Sequence, residues 1–289
     1  MKPILIITTC LFSLSGFAWD FTYKLNANQS KTSNVNQDST NISDTISDYY
    51  LTLQTKQSDW KVKLKGQLET YQTVTDNDFY SLDLSTTYNR TPDNDISVGV
   101  FQTTYHHTPA IYSDTASDNN GVRVGTNFYN EFTENHTGVF SLSASRKNYS
   151  KLSRQDTGLS ASIGVESYFT PQFNLSPDFS VSSNSSSTSD YNTASYSPSI
   201  YATLTANDKL ELFASASYSY SYYLNRKVLV KNKNQNVYQE ITTQEVGAIF
   251  SFIKNLPLTI KYTSTNGQSN YTYYQYKANL VSFGLGLKF

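Results

Sequence analysis

Apolar and polar residues alternate with a period of two along most of the chain after residue 19, and no stretch there sustains a helical period. In "DWKVKLKGQLETY", Trp60, Val62, Leu64, Gly66 and Leu68 share one face while Lys61, Lys63, Lys65, Gln67 and Glu69 share the other. The next run sets Tyr80, Leu82, Leu84, Thr86 and Tyr88 against Ser81, Asp83, Ser85 and Thr87. The same alternation returns at Ile96–Val100, Val122–Phe128, Leu159–Val165 and Leu210–Leu224. It closes the chain in "LVSFGLGLKF", where Val281, Phe283, Leu285, Leu287 and Phe289 oppose Leu280, Ser282, Gly284, Gly286 and Lys288. A strand with one apolar face produces this pattern, because successive side chains point to opposite sides. It predicts about fourteen strands, near residues 20–28, 46–56, 60–74, 79–89, 96–104, 120–131, 138–147, 157–169, 173–182, 192–205, 209–225, 239–253, 257–264 and 273–289.

The connections sort by parity. Short ones fall at "QSD", "RTPDND", "TENH", "TPQ", "AND" and "KNLP", each with Pro, Asn or Asp to suit turn dihedrals. Those between are mostly longer and polar, at 28–45, 104–118, 148–156, 183–191, 226–238 and 265–272, with the short "TDND" at 75–78 as the exception. An up-and-down meander with both termini on the short-turn side has this arithmetic, whereas a Greek-key sandwich has no reason to alternate its loop lengths. The expectation is an all-β, up-and-down antiparallel barrel of about fourteen strands. A misplaced boundary in 173–205 would make it twelve or sixteen.

Composition says what the apolar faces touch. Leucine and isoleucine are sparse, one methionine is present, and 24 tyrosines and 16 phenylalanines supply much of the apolar surface. That mixture suits lipid and interface contact better than a packed aliphatic core. Strands of ten or more residues match the about 9–11 that cross a bilayer at a tilt. Tyrosines crowd at predicted strand ends (Tyr49 and Tyr50; Tyr218, Tyr220, Tyr222 and Tyr223; Tyr271, Tyr273, Tyr274 and Tyr276), where aromatic girdles belong. Lys2 followed by "ILIITTCLFSLSGFA" reads as a signal peptide over residues 1–18, cut after Ala18, leaving 19–289 as a transmembrane barrel. A spanning helix is the weaker reading, since the run holds two threonines, two serines and a glycine. Cys10 leaves with the leader, so the mature chain has no disulfide or thiolate metal site. With 22 basic and 23 acidic residues no nucleic-acid partner is expected, and no motif calls for a cofactor or metal.

Together, the leader, the cysteine-free alternating strands, the alternating connections and the final "VSFGLGLKF" resemble the Gram-negative outer-membrane β-barrel proteins of the porin-like class. The resemblance spans the whole chain as a pattern and is specific in its two ends. It implies residence in the cell outer membrane, contact with its lipid, both termini in the periplasm, and recognition of Phe283, Leu285, Leu287 and Phe289 by the barrel-assembly machinery. Size and strand count are similar to fourteen-stranded monomeric porins, and the oligomeric state stays open. Lys277 and Asn279 share the register of Phe289, so they either sit at the outer rim or mark a bulge.

The inward face is bland, with serines at 141, 143, 145, 160, 162, 195, 197, 199, 215, 217, 219 and 221. Small hydroxyls cannot build a core and leave room for water. Inward charges are few. Lys61, Lys63 and Lys65, joined by Arg123, Lys147 and Lys261, form a basic set facing Asp83, Glu69, Glu166, Glu211 and Glu245. Such charges set ion preference in pores, and here they either favour anions and acidic sugars or simply balance. Tyr129, Tyr168, Tyr201 and Tyr223 offer a sugar-stacking track or interface anchors. Three functions follow. The first is passive diffusion of small hydrophilic solutes, anions or saccharides among them, with no residue doing covalent chemistry. The second is an anchoring barrel whose loops, such as "NQSKTSNVNQDSTNISDTISD", bind a partner or surface. The third and weakest is a hydrolase built on His106 and His107 with Asp114 or Asp118, His136 lying at the opposite end.

Overall fold

The computed structural model describes residues 20–34, 42–106, 118–150, 152–231, 233–253 and 255–288. Residues 1–18, expected as a signal peptide, and His107, Asp114 and Phe289 lie outside the described residues.

Fourteen strands follow one another: β1 (Asp20–Thr32), β2 (Asp44–Gln57), β3 (Trp60–Tyr71), β4 (Phe79–Thr91), β5 (Asn94–Tyr105), β6 (Asn119–Thr133), β7 (His136–Tyr149), β8 (Arg154–Thr170), β9 (Phe173–Ser186), β10 (Thr193–Asn207), β11 (Leu210–Val230), β12 (Lys233–Ile253), β13 (Leu256–Ser269) and β14 (Tyr276–Lys288). Each pairs antiparallel with its chain neighbour, and β1 pairs with β14 to close the barrel. Closure satisfies backbone donors and acceptors without leaving a sheet edge, the condition for spanning lipid with strands.

Six turns of two residues join strands at one end, following β2, β4, β6, β8, β10 and β12. Their local chemistry is repetitive. Thr133 Oγ1 accepts from the Asn135 amide at 3.3 Å, Thr170 Oγ1 from the Phe173 amide at 3.0 Å, and Asn207 Oδ1 from the Lys209 amide at 2.9 Å. A short polar side chain at the strand end thus occupies turn amides that the ladder leaves unpaired. Three of the connections at the other end contain 3-10 turns, at Thr75–Asn77, Ser189–Tyr191 and Thr272–Tyr274.

The strands outrun their sequence signal at this long-loop end. The stretch at 226–238, expected as a loop, is mostly ladder: Lys227 pairs with Asn236 and Val230 with Lys233, so β11 and β12 reach 21 residues each. The expected loop at 148–156 likewise contracts to residues 150–153. Past the membrane both faces of a strand meet water, so the hydrophobic alternation fades although backbone pairing continues.

The molecule is inverted relative to a water-soluble sandwich. Among the described residues the buried apolar side chains are Tyr149, Val237, Tyr276 and Ala278, while the outward face stays open, with Ile163 60%, Val98 55% and Phe283 53% exposed. A wall of this kind needs an apolar solvent around it. No helix among the described residues is long and apolar enough to cross a membrane. An aromatic row lies on the outside of β10–β12, where Tyr220 stacks on Tyr196 at 5.3 Å and on Tyr238 at 6.0 Å. The expected girdle is therefore partly right: Tyr49, Tyr218, Tyr220 and Tyr222 occupy the outward register, whereas Tyr50, Tyr223 and Tyr276 are in the inward one.

At the seam, β1 and β14 pair without a shift from Lys24↔Lys288 to Thr32↔Leu280, and the buried Ser30 hydroxyl donates to Ser282 Oγ at 2.8 Å. Phe283 and Leu285 face outward. Gly284 and Gly286 face inward, and a Cβ at Gly286 would stand 2.8 Å from Asn26 Oδ1. Lys277 and Asn279 mark no bulge. The β13–β14 register is continuous, so both lie in the outward row at the long-loop rim, where Asn279 Oδ1 accepts from the Tyr262 hydroxyl at 2.9 Å.

Candidate functional site: the barrel lumen

The inner wall of β7–β11 is surfaced with serine. Ser143 and Ser160 share a hydrogen bond at 2.6 Å, Ser195 and Ser221 one at 2.9 Å, and Ser141 donates to Asn127 Oδ1 at 2.7 Å. Across these strands the wall offers hydroxyls in both donor and acceptor roles, with Phe213 of β11 as a large apolar side chain in the same inward register.

Lys61, Lys63 and Lys65 occupy the inward register of β3, facing Thr87, Ser85 and Asp83 of β4. Register places Lys56 beside Lys61 and Lys24 opposite Thr52, so the stripe widens to a basic patch over β1–β3. Lys24 and Lys56 escaped the sequence reading, although both stand in phase with the inward face of their strands. Lys65 and Asp83 are register partners, yet Asp83 is taken elsewhere: Arg123 reaches over β5 and grips it in a bidentate pair, Nη1–Oδ2 2.5 Å and Nη2–Oδ1 2.6 Å. Gly99 clears that path, since a Cβ there would lie 3.2 Å from both Arg123 Nε and the Leu84 carbonyl oxygen. Lys61, Lys63 and Lys65 consequently form no ion pair among the described residues.

The expected carboxylates scatter differently. Glu245 pairs with Lys261 at 3.0 Å and accepts from the Thr263 hydroxyl at 3.2 Å. Glu69 sits at the far end of β3, where the Tyr71 hydroxyl donates to it and Gln67 Nε2 approaches at 3.3 Å. Glu166 and Glu211 take the inward register of β8 and β11 near the two-residue turns, and Asp178 of β9 joins them, a residue the sequence reading left out. Basic β1–β3 and acidic β8–β11 lie on opposite sides of the ring. The lumen is charged in sectors, so a passing ion meets a field across its path.

The four candidate tyrosines all take the inward register, but no ring contact links them to one another among the described residues. Tyr129 donates to Asp95 Oδ2 at 3.0 Å, Tyr201 stacks on Phe213 at 6.5 Å, and Tyr223 on Tyr274 at 6.0 Å. Of the histidine candidates, His136 packs edge-on against Phe169 at 6.0 Å at the two-residue-turn end, far from His106 at the long-loop end. Among the described residues no group of three His, Cys, Asp or Glu side chains could hold a metal ion.

A closed, antiparallel, inside-out barrel of fourteen strands with a hydroxyl-lined interior has the fold of the outer-membrane β-barrel channels. Three solved structures make the likeness concrete. A bacterial polysaccharide outer membrane secretin aligns with a TM-score of 0.61 and 12% identity, covering 92% of this chain and 98% of that one. The outer membrane channel DcaP of Acinetobacter baumannii aligns at 0.56 and 10% identity, covering 94% and 97%. An anion-selective porin from Comamonas acidovorans aligns at 0.53 and 9%, covering 94% and 99%. No protein-family model and no curated protein sequence matches the chain.

Proposed function

We propose that this protein is an outer-membrane channel for passive diffusion of small hydrophilic solutes, with a preference for anions. The observation that carries the reading is the serine-surfaced inner wall of a closed barrel, which supports a water-filled interior. The basic patch on β1–β3 adds the sign, because Arg123 neutralises the carboxylate nearest Lys65 and leaves the lysines in excess there. Similarity to channels and an anion-selective porin agrees with this reading. The expected result is stepwise conductance when the purified protein is added to a neutral planar bilayer, with a reversal potential in a salt gradient on the anion side. Correctly folded protein that passes no current would sink the proposal and favour an anchoring barrel.

The same reading takes residues 1–18 as a leader removed after Ala18 and both termini as periplasmic. It also takes Phe283, Leu285, Leu287 and Phe289 as the mark by which assembly machinery recognises the last strand. Deleting Phe289 is expected to lower the yield of folded, heat-modifiable barrel in the outer membrane several-fold while synthesis is unchanged. Wild-type yield from the truncated chain would remove the terminal residue from that role.

A further inference from the structure

At the long-loop mouth, the guanidinium of Arg154 lies between two tyrosine rings, 3.9 Å from the centroid of Tyr149 and 4.2 Å from that of Tyr191. Tyr149 is its register partner at the top of β7, and Tyr191 comes from the 3-10 turn between β9 and β10. Lys147 stands one inward position below, with Nζ 5.6 Å from the Tyr149 ring centre. Asp156 is opposite Lys147 in register, with Oδ1 3.3 Å from Arg154 Nε. These groups line an inward cavity of about 310 Å³, completed by polar side chains that include Ser145, Asn184 and Thr193.

Arg154 is 4% exposed, yet its Nη1 has no hydrogen-bond partner among the described residues, and its Nε has only the ion-pair contact with Asp156. Leaving a buried donor of a cation unmet is costly, unless something else meets it. The tyrosine sandwich fixes the fork in place beforehand, so a planar anion meets it without the entropy cost of ordering a free arginine. Lys147 and Arg154 against Asp156 leave one positive charge, which suits a monoanion. The cavity is far larger than an inorganic ion needs, and its hydroxyl and amide lining suits a hydroxylated body rather than an acyl chain.

We propose that this mouth pocket binds a sugar acid of monosaccharide size, its carboxylate held by Arg154 and Lys147 and its hydroxyls by the polar wall. The proposal rests on the channel reading for its meaning, as a capture site ahead of the pore, but its test does not need the pore to conduct. Glucuronate, glucose and inorganic phosphate are titrated calorimetrically into the full folded protein in detergent. Glucuronate is expected to bind at one site, about tenfold or more tighter than glucose, since charge-assisted hydrogen bonds distinguish them. Arg154→Gln and Lys147→Gln are each expected to weaken glucuronate by about tenfold without touching glucose. If Arg154→Gln fails to fold, Lys147→Gln carries the comparison, because Lys147 lies outside the tyrosine sandwich. Glucuronate binding no tighter than glucose, or unchanged in folded Lys147→Gln, would show that the stack is only a clamp between connections and overturn the proposal. Phosphate binding as tightly as glucuronate would overturn the sugar-acid assignment. Binding without conductance counts against the channel alone, and conductance without binding against the mouth site alone.

Discussion

Ile163→Arg is expected to destabilise the folded barrel in a bilayer by about 2–4 kcal/mol, whereas Ser162→Arg, one residue away, changes stability by well under 1 kcal/mol. Ile163 stands in the outward row near the middle of β8, 60% exposed and opposite Phe140 and Phe179. An arginine there must be desolvated in hydrocarbon or drag headgroups and water inward. Ser162 pairs with Ser141 and Ser180 on the inner wall, so an arginine at that position meets lumen water. Urea unfolding of both variants in lipid vesicles checks the pair. Equal costs at the two positions would mean that the wall is not lipid on one side and water on the other.

Replacing Lys61, Lys63 and Lys65 together by glutamine is expected to lower the anion-to-cation permeability ratio about tenfold at 0.1 M salt, since the change favours a cation as much as it disfavours an anion. Three charges some 8 Å from a passing ion in water change its energy by about 1.5 kcal/mol, and screening at that salt removes roughly half. The effect should grow as salt is diluted, since the Debye length lengthens to about 30 Å at 0.01 M. Stability should hardly move, because the three lysines have no ion-pair partner among the described residues to lose. Reversal potentials at two ionic strengths give the answer, and an unchanged ratio at both would place the lysines away from the conduction path.

The period-two pattern made the strand number and the inside-out polarity readable before any coordinates, because a transmembrane strand must present one apolar face along its lipid-exposed length. Strand ends were not readable. In the β11–β12 extension, Arg226–Val230 and Lys233–Tyr238 lose the alternation while the backbone goes on pairing. Individual charges on clearly alternating strands, such as Lys63 and Glu245, were assigned a face from the alternation. Lys24 and Asp178 were not, although both stretches alternate: Phe21, Tyr23, Leu25 and Ala27 stand in the phase opposite Lys24, and Leu175, Pro177 and Phe179 in the phase opposite Asp178. Partnerships that skip a strand or cross a loop had no signal at all. Arg123 finding Asp83 across Gly99, and Tyr191 closing over Arg154, depend on register and loop path, which one sequence does not contain.

The seam carries a kinetic consequence. Every other pairing joins strands adjacent along the chain, so each can form as soon as its hairpin exists. The Ser30–Ser282 contact spans 252 residues, and closing a loop of that length in a free chain costs about 5 kcal/mol by polymer statistics. No fragment lacking β14 can make it, and until it forms β1 presents a bare edge ready to pair with a second copy. Closure is therefore the natural last event of folding, because it needs β14, which follows the other thirteen strands along the chain.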